Sequence, residues 1–269
     1  MTEDTAVCTF RLALPQALPF HEFKMAGGLD VMMVDYNLYP PAASLQNCLK
    51  FSHSYEYLGI LCDFGFTTIL KVNDKPPRFE GVVCKTLKHD NETLEGQAWS
   101  SDDQVYAVLS QKAYLYMVEK DFSLLHVIEL YYVPKDIAIA TESKDIQRNP
   151  GNTSQYKAAI AGPNGVEMYH LELTENASIN VKEGIHLHND LAIVLVEFSP
   201  DLQCLAVAAL DCHFGIWIVK SLEGEQRDFW YKHLATVRIT SISFSGDSQN
   251  IAVSCWDGCC YVFTKVSYS

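Results

Sequence analysis

The sequence contains no apolar run approaching the roughly 20 residues that a membrane-spanning helix requires, so no membrane span is expected. Cations are also scarce. Lys and Arg total 20 against 33 Asp and Glu, for a net charge of −13. Binding to nucleic acid needs clustered Lys and Arg to meet the phosphates, so a nucleic-acid partner is not expected, whereas a protein with a basic surface is. The segment from Met1 to Thr5 has acid where a secretory leader has a basic region, which argues against secretion. The nine cysteines are odd in number and lack both a framework spacing and a Cys-x2-Cys knuckle. Reduced thiols in a cytoplasmic protein follow from this, with the nucleus as the alternative. The sequons at Asn91, Asn152 and Asn176 then count only as polar turns. There is no Gly-rich loop leading into Lys-Ser or Lys-Thr, no Gly-x-Ser-x-Gly elbow and no His-Glu-x-x-His pair. No catalytic residue, cofactor-binding residue, cofactor or metal ligand is therefore assigned.

What the chain does contain is a repeat, clearest over residues 241 to 263. Ile242 and Phe244 alternate with serines, Ser245 to Ser248 is turn chemistry, and Ile251 to Val253 is a short buried strand. Asp257-Gly258 signals a hairpin, and Tyr261 to Phe263 returns. Moving back 46 residues places Phe198, Ser199 and Asp201 over Phe244, Ser245 and Asp247, and Ala206-Val207 over Ala252-Val253. A further 99 residues back lie Trp99, Ser100 and Asp102, followed by Ala107-Val108; 48 before that, Phe51-Ser52 and Gly59-Ile60 fit more loosely. The midpoint of the long step holds Lys135 to Ala140 and, after an insertion, Lys157 to Ala161. Several strands in a unit of 46 to 50 residues mark a propeller or a repeat array.

On the aromatic-Ser-x-Asp turn, the following Ala-Val strand and Trp256-Asp257-Gly258, the chain resembles a divergent WD40-type β-propeller. No Gly-His dipeptide opens a repeat, and the one Trp-Asp pair lies after a second strand rather than closing a third. The resemblance implies an all-β propeller of four-stranded antiparallel blades. About five repeats are recognisable over residues 44–269, either as a small ring or as part of a larger propeller. Residues 1–43 do not fit the repeat and are expected to supply a closing strand, from 6–14 or 29–34, because the fifth repeat stops after its third strand. The polar run over residues 142 to 154 predicts an exposed loop.

Asp102-Asp103 falls in a predicted turn and is read as solvated. Cys204, Cys212, His213, Cys255, Cys259 and Cys260 occupy matching places in adjacent repeats and are weighed as soft metal ligands, but buried cysteine is more often a small hydrophobe. His186 and His188, with Asp190 near, read as a solvent-facing pair on a blade edge. Tyr114, Tyr116, Tyr131 and Tyr132 are assigned mainly to core packing. Phe229, Trp230 and Tyr231 are the candidate partner-binding residues, since Trp and Tyr are enriched in interface hot spots. The functional expectation is a non-enzymatic protein-protein interaction scaffold, one subunit or domain of a multi-protein intracellular complex. A metal-binding or enzymatic propeller, or a nucleic-acid-associated one, is the alternative.

Overall fold

The computed structural model describes residues 48–62, 65–72, 82–89, 92–142, 154–174, 178–188, 191–219, 229–234 and 237–264. The two candidate closing strands, residues 1–43 as a unit, and nearly all of the predicted 142–154 loop lie outside these residues. Among the described residues the regular structure is strand, with no α-helix and hence no helix long and apolar enough to cross a membrane.

The strands form five antiparallel sheets in chain order. The first holds β1 (Leu49–Phe51), β2 (Tyr57–Cys62), β3 (Phe66–Lys71) and β4 (Val82–Lys88). The second holds β5 (Gly96–Trp99), β6 (Val105–Leu109), β7 (Lys112–Met117) and β8 (Ser123–Glu129). The third holds β9 (Asp136–Thr141), β10 (Ser154–Gly162), β11 (Gly165–Leu173) and β12 (Ile179–His188). The fourth holds β13 (Ile193–Phe198), β14 (Cys204–Ala209), β15 (His213–Ile218) and β16 (Phe229–His233). The fifth holds β17 (Ile239–Phe244), β18 (Asn250–Cys255) and β19 (Cys260–Thr264). The repeat read from the sequence is therefore the structural unit, and the fifth unit has three strands among the described residues.

The first strand of each sheet packs on that of the next: β1 on β5, β5 on β9, β9 on β13 and β13 on β17. All of β5 and the residues from Asp136 to Ala140 are buried, whereas most of β8 is exposed or half-exposed. First strands are therefore inner and fourth strands outer. Apolar side chains fill the spaces between sheets, one cluster for each consecutive pair. Between the first two sheets Trp99 lies against Tyr106 with ring centroids 4.3 Å apart, and its indole N–H donates to the carbonyl of Lys50 at 3.1 Å. Gly59 permits that approach, because a Cβ there would stand 2.3 Å from Gln97 Oε1 and 2.8 Å from the Tyr106 hydroxyl. Between the last two sheets Phe214 and Phe263 stack at 5.2 Å.

The register aligns the repeat residue by residue: Ala98 faces Ala107, Glu197 faces Ala206, and Ser243 faces Ala252. Ala107 and Ala206 are fully buried between sheets, as the repeat predicts. Ala252 holds the equivalent register position but is only half-buried, which corrects the expectation of burial there. The reason is positional. Val253 and Cys255 point toward the fourth sheet, and Ala252 alternates onto the opposite face, with Ser243 and exposed Val262.

In the second, fourth and fifth sheets the aromatic-Ser-x-Asp segment closes the first-to-second-strand turn in one way. The hydroxyls of Ser100, Ser199 and Ser245 donate to Asp102, Asp201 and Asp247 at 2.7, 2.6 and 2.5 Å. Each hydroxyl also accepts a backbone N–H, from Val105, Cys204 or Asn250, at 2.9 Å. The next residue, Asp103, Leu202 or Ser248, takes positive φ. The first sheet copies the turn with Ser52, Ser54 and Tyr55, a serine replacing the carboxylate.

Asp102 and Asp103 lie in the turn as expected, Asp102 exposed and Asp103 partly so, but both also bond to neighbouring sheets, which the sequence reading did not foresee. Asp103 accepts the backbone N–H groups of His53 and Ser54 in the preceding sheet, both at 2.7 Å, and Asp102 accepts the Tyr156 hydroxyl of the following sheet at 3.2 Å. These carboxylates join three sheets along one rim.

Candidate partner-binding face

The opposite rim carries the hairpins between second and third strands, together with the segments that enter each sheet. Each hairpin is tied to its own entry segment. The Leu210 N–H bonds to the Ala192 carbonyl at 2.8 Å, the Trp256 N–H to the Arg238 carbonyl at 2.9 Å, and the Lys135 N–H to the Ala161 carbonyl at 2.9 Å. Cys212 and Gly258, two residues beyond Leu210 and Trp256, both take positive φ. Leu210 and Trp256 therefore occupy the same place in adjacent sheets, 57% and 72% exposed. Tyr131 and Val133, in the segment entering the third sheet, are 99% and 50% exposed. Large apolar side chains held this openly on anchored turns favour contact with another surface.

Acidic groups flank these side chains. The Asp211 carboxylate accepts the His213 backbone N–H at 3.3 Å, and Asp257 accepts that of Cys259 at 3.0 Å. Lys112 and Lys135 are engaged by Glu129 at 3.3 Å and Glu95 at 3.4 Å.

The residues singled out in the sequence are distributed as follows. Phe229, Trp230 and Tyr231 lie on the outer strand β16, paired to β15. Tyr231 is 57% exposed, and its ring lies 5.8 Å from that of His213; the side chains of Phe229 and Trp230 lie outside the described residues. His213 also meets His233 edge-on at 5.0 Å, and its Nδ1 lies 3.0 Å from Asp211 in an ion-pair contact off the hydrogen-bonding direction.

Cys255 is buried against the fourth sheet, with Cys212, Cys259 and Cys260 close enough to act on it electrostatically. Burial first, then Asp257, push its thiol up to about 11, which keeps it protonated at neutral pH. Among the described residues no three His, Cys, Asp or Glu side chains are gathered so as to hold a metal ion. His186 is on outer strand β12, half-exposed, with Nδ1 3.5 Å from Glu167; the His188 side chain and Asp190 lie outside the described residues. Tyr114 and Tyr116 are buried as expected and Tyr132 packs, partly buried, against the core between the second and third sheets, but Tyr131 is fully exposed, which corrects its assignment to the core. It lies on a connecting segment between sheets, where period-2 burial does not apply.

Sequence reasoning also missed two inner carboxyls. Asp136 accepts the Val196 N–H at 3.0 Å and Glu197 that of Phe244 at 3.3 Å, each reaching the next sheet. Burial pushes Asp136 up to about 6 and Glu197 up to about 7, and the Lys50 cation opposes both shifts. These groups join neighbouring sheets.

No protein-family model and no curated protein matches the sequence. Solved structures do match the fold. The β-propeller domain of Cps50 (Swd1) from Myceliophteria thermophila superposes with a TM-score of 0.57 at 12% identity, over 81% of this chain and 64% of that one. The WD40 domain of SCAP from fission yeast gives 0.57 at 10% identity, over 85% of this chain and 53% of that one. A functionally unknown protein from Desulfotomaculum acetoxidans gives 0.56 at 14% identity, over 78% and 62%. The fold is thus that of a divergent WD40-like β-propeller, and the chain spans between about half and two thirds of the length of these structures.

Proposed function

We propose that the protein is a protein-interaction scaffold, a propeller subunit of a larger intracellular assembly in the cytoplasm or nucleus, and that its hairpin rim is the partner face. One observation carries this reading: Leu210 and Trp256, at equivalent turn positions of adjacent sheets, are largely exposed on anchored backbone. A rigid turn presents an apolar side chain at little entropic cost, which is how interface anchors gain affinity. Asp211 and Asp257 beside them, and the net charge of −13, favour a partner with a basic surface. Tyr231, exposed on β16, extends the same contact down the outer edge of the fourth sheet, on the strand that also carries the candidate partner-binding residues Phe229 and Trp230. The assigned function needs no catalytic group, metal or cofactor.

The experiment compares proteins captured from cells by wild-type chain with those captured by Leu210→Ser/Trp256→Ser and by Tyr55→Ser, whose site lies on the opposite rim. The expected outcome is selective loss of specific partners with the double variant, while Tyr55→Ser retains them. Equal capture by all three contradicts the assignment.

A further inference from the structure

At the third sheet the hairpin rim contains a cavity of about 70 Å³, several times the space one water needs. Tyr132, Gly162, Asn164, Glu167 and His186 are among its lining residues. Its construction is specific. Gly162 closes the β10–β11 hairpin opposite Gly165, and a Cβ on it would lie 2.5 Å from Cε2 of Tyr132, so the glycine lets the Tyr132 ring lie against the turn as a wall. Glu167 and His186 face each other across β11 and β12. The Tyr169 hydroxyl donates to Glu167 Oε2 at 2.7 Å, which fixes the carboxylate and leaves Oε1 with the His186 ring 3.5 Å away. The buried Tyr132 hydroxyl stands beside Glu167, whose charge acts on it, and makes no well-aligned hydrogen bond among the described residues.

We propose that this cavity seats the cationic end of a Lys or Arg side chain supplied by a protein partner. The chemistry selects that class. A carboxylate whose geometry is set by a neighbouring tyrosine is a charge-assisted acceptor for N–H donors. Tyr132 lines the cavity beside that carboxylate, and a tyrosine ring face attracts a cation. An anion would meet Glu167, and an apolar group would cover its carboxylate without a countercharge. Exposed Tyr131 and half-exposed Val133, on either side of Tyr132, offer apolar contact to the methylenes or neighbours of the incoming residue. The proposal rests on the scaffold reading and locates one anchor point within its rim.

The test titrates full-length, isotope-labelled protein with three probes: the N-acetyl methylamides of lysine, arginine and norleucine. Lysine or arginine should saturably shift the backbone amide signals of Gly165, Val166 and His186. Norleucine, of similar shape without charge, should bind about tenfold more weakly, as should the lysine probe to Glu167→Gln. Equal shifts with norleucine, or cationic probes acting only elsewhere, overturn the proposal, and this comparison stands on wild-type protein even if Glu167→Gln fails to fold. If the Leu210/Trp256 variant loses its partners while the cavity ignores lysine and arginine, the cavity assignment falls and the scaffold reading stands. If the cavity responds and the rim variant loses nothing, the Leu210/Trp256 face is wrong and the cavity holds.

Discussion

Asp136 and Glu197 are carboxyls on inner strands that bond to the backbone of the next sheet, and burial raises both. A raised acid is favoured in the folded state when it carries its proton. Its stabilising effect is therefore greatest below the unfolded value, 3.8 for Asp136 and 4.5 for Glu197, and is lost as pH rises toward about 6 and about 7. Across that window these two groups make stability fall with increasing pH. Lys50 offsets part of the effect. Glu197→Gln keeps an oxygen able to accept the Phe244 N–H without a charge to bury. It should stabilise the protein by about 1–3 kcal/mol at pH 7.5 and by nearly nothing at pH 4.5, read as the shift in Tm at each pH. A variant less stable than wild type at pH 7.5 would mean that the ionised carboxylate contributes to holding the sheets.

At the scale of elements, the Ser-x-Asp turn is the repeating joint. Asp247 shows the same bonds in the open, its carboxyl held below the usual range first by the Ser245 hydroxyl. In the fourth sheet Ser199 donates to Asp201 and accepts the Cys204 N–H, so Ser199→Ala removes both at a largely buried site. A loss of about 1–2 kcal/mol in denaturant unfolding is expected. The alanines give a sharper contrast. Ala206→Leu must overpack the space between sheets and should cost about 1–3 kcal/mol, whereas Ala252→Leu, on the outer face of the fifth sheet, should cost under about 1 kcal/mol. Equal costs would contradict the packing described.

These elements are also where the sequence was most legible. The repeat units marked by Phe51-Ser52, Trp99-Ser100, Phe198-Ser199 and Phe244-Ser245 each fold as a first and second strand, because alternation and turn residues are local signals. The bonds from Asp103 to His53 and Ser54 and the exposure of Tyr131 were not legible, since both depend on which sheet stands next to which. Leu210 and Trp256 did leave a trace, as apolar residues at turn positions where polar ones are usual. The Glu167 cavity left none, because Tyr132 and Gly162 meet only through the fold.

At the scale of the whole molecule, the five sheets of the described residues follow one another with inner strands in contact and present two unlike rims. One rim is spent on joining sheets through Asp102, Asp103 and Ser248, whose hydroxyl accepts the Asp201 N–H at 3.0 Å. The other presents Tyr131, Val133, Leu210 and Trp256 to solvent. The central claim is that partners bind this second rim. Hydrogen–deuterium exchange on the chain, free and within the assembly recovered from cells, tests it most directly. Protection should concentrate at residues 130–135, 163–167, 210–213 and 256–259, while the turns at 52–55, 100–103, 199–202 and 245–248 exchange as in the free chain. Protection confined to those joining turns, with the hairpins unchanged, would contradict it.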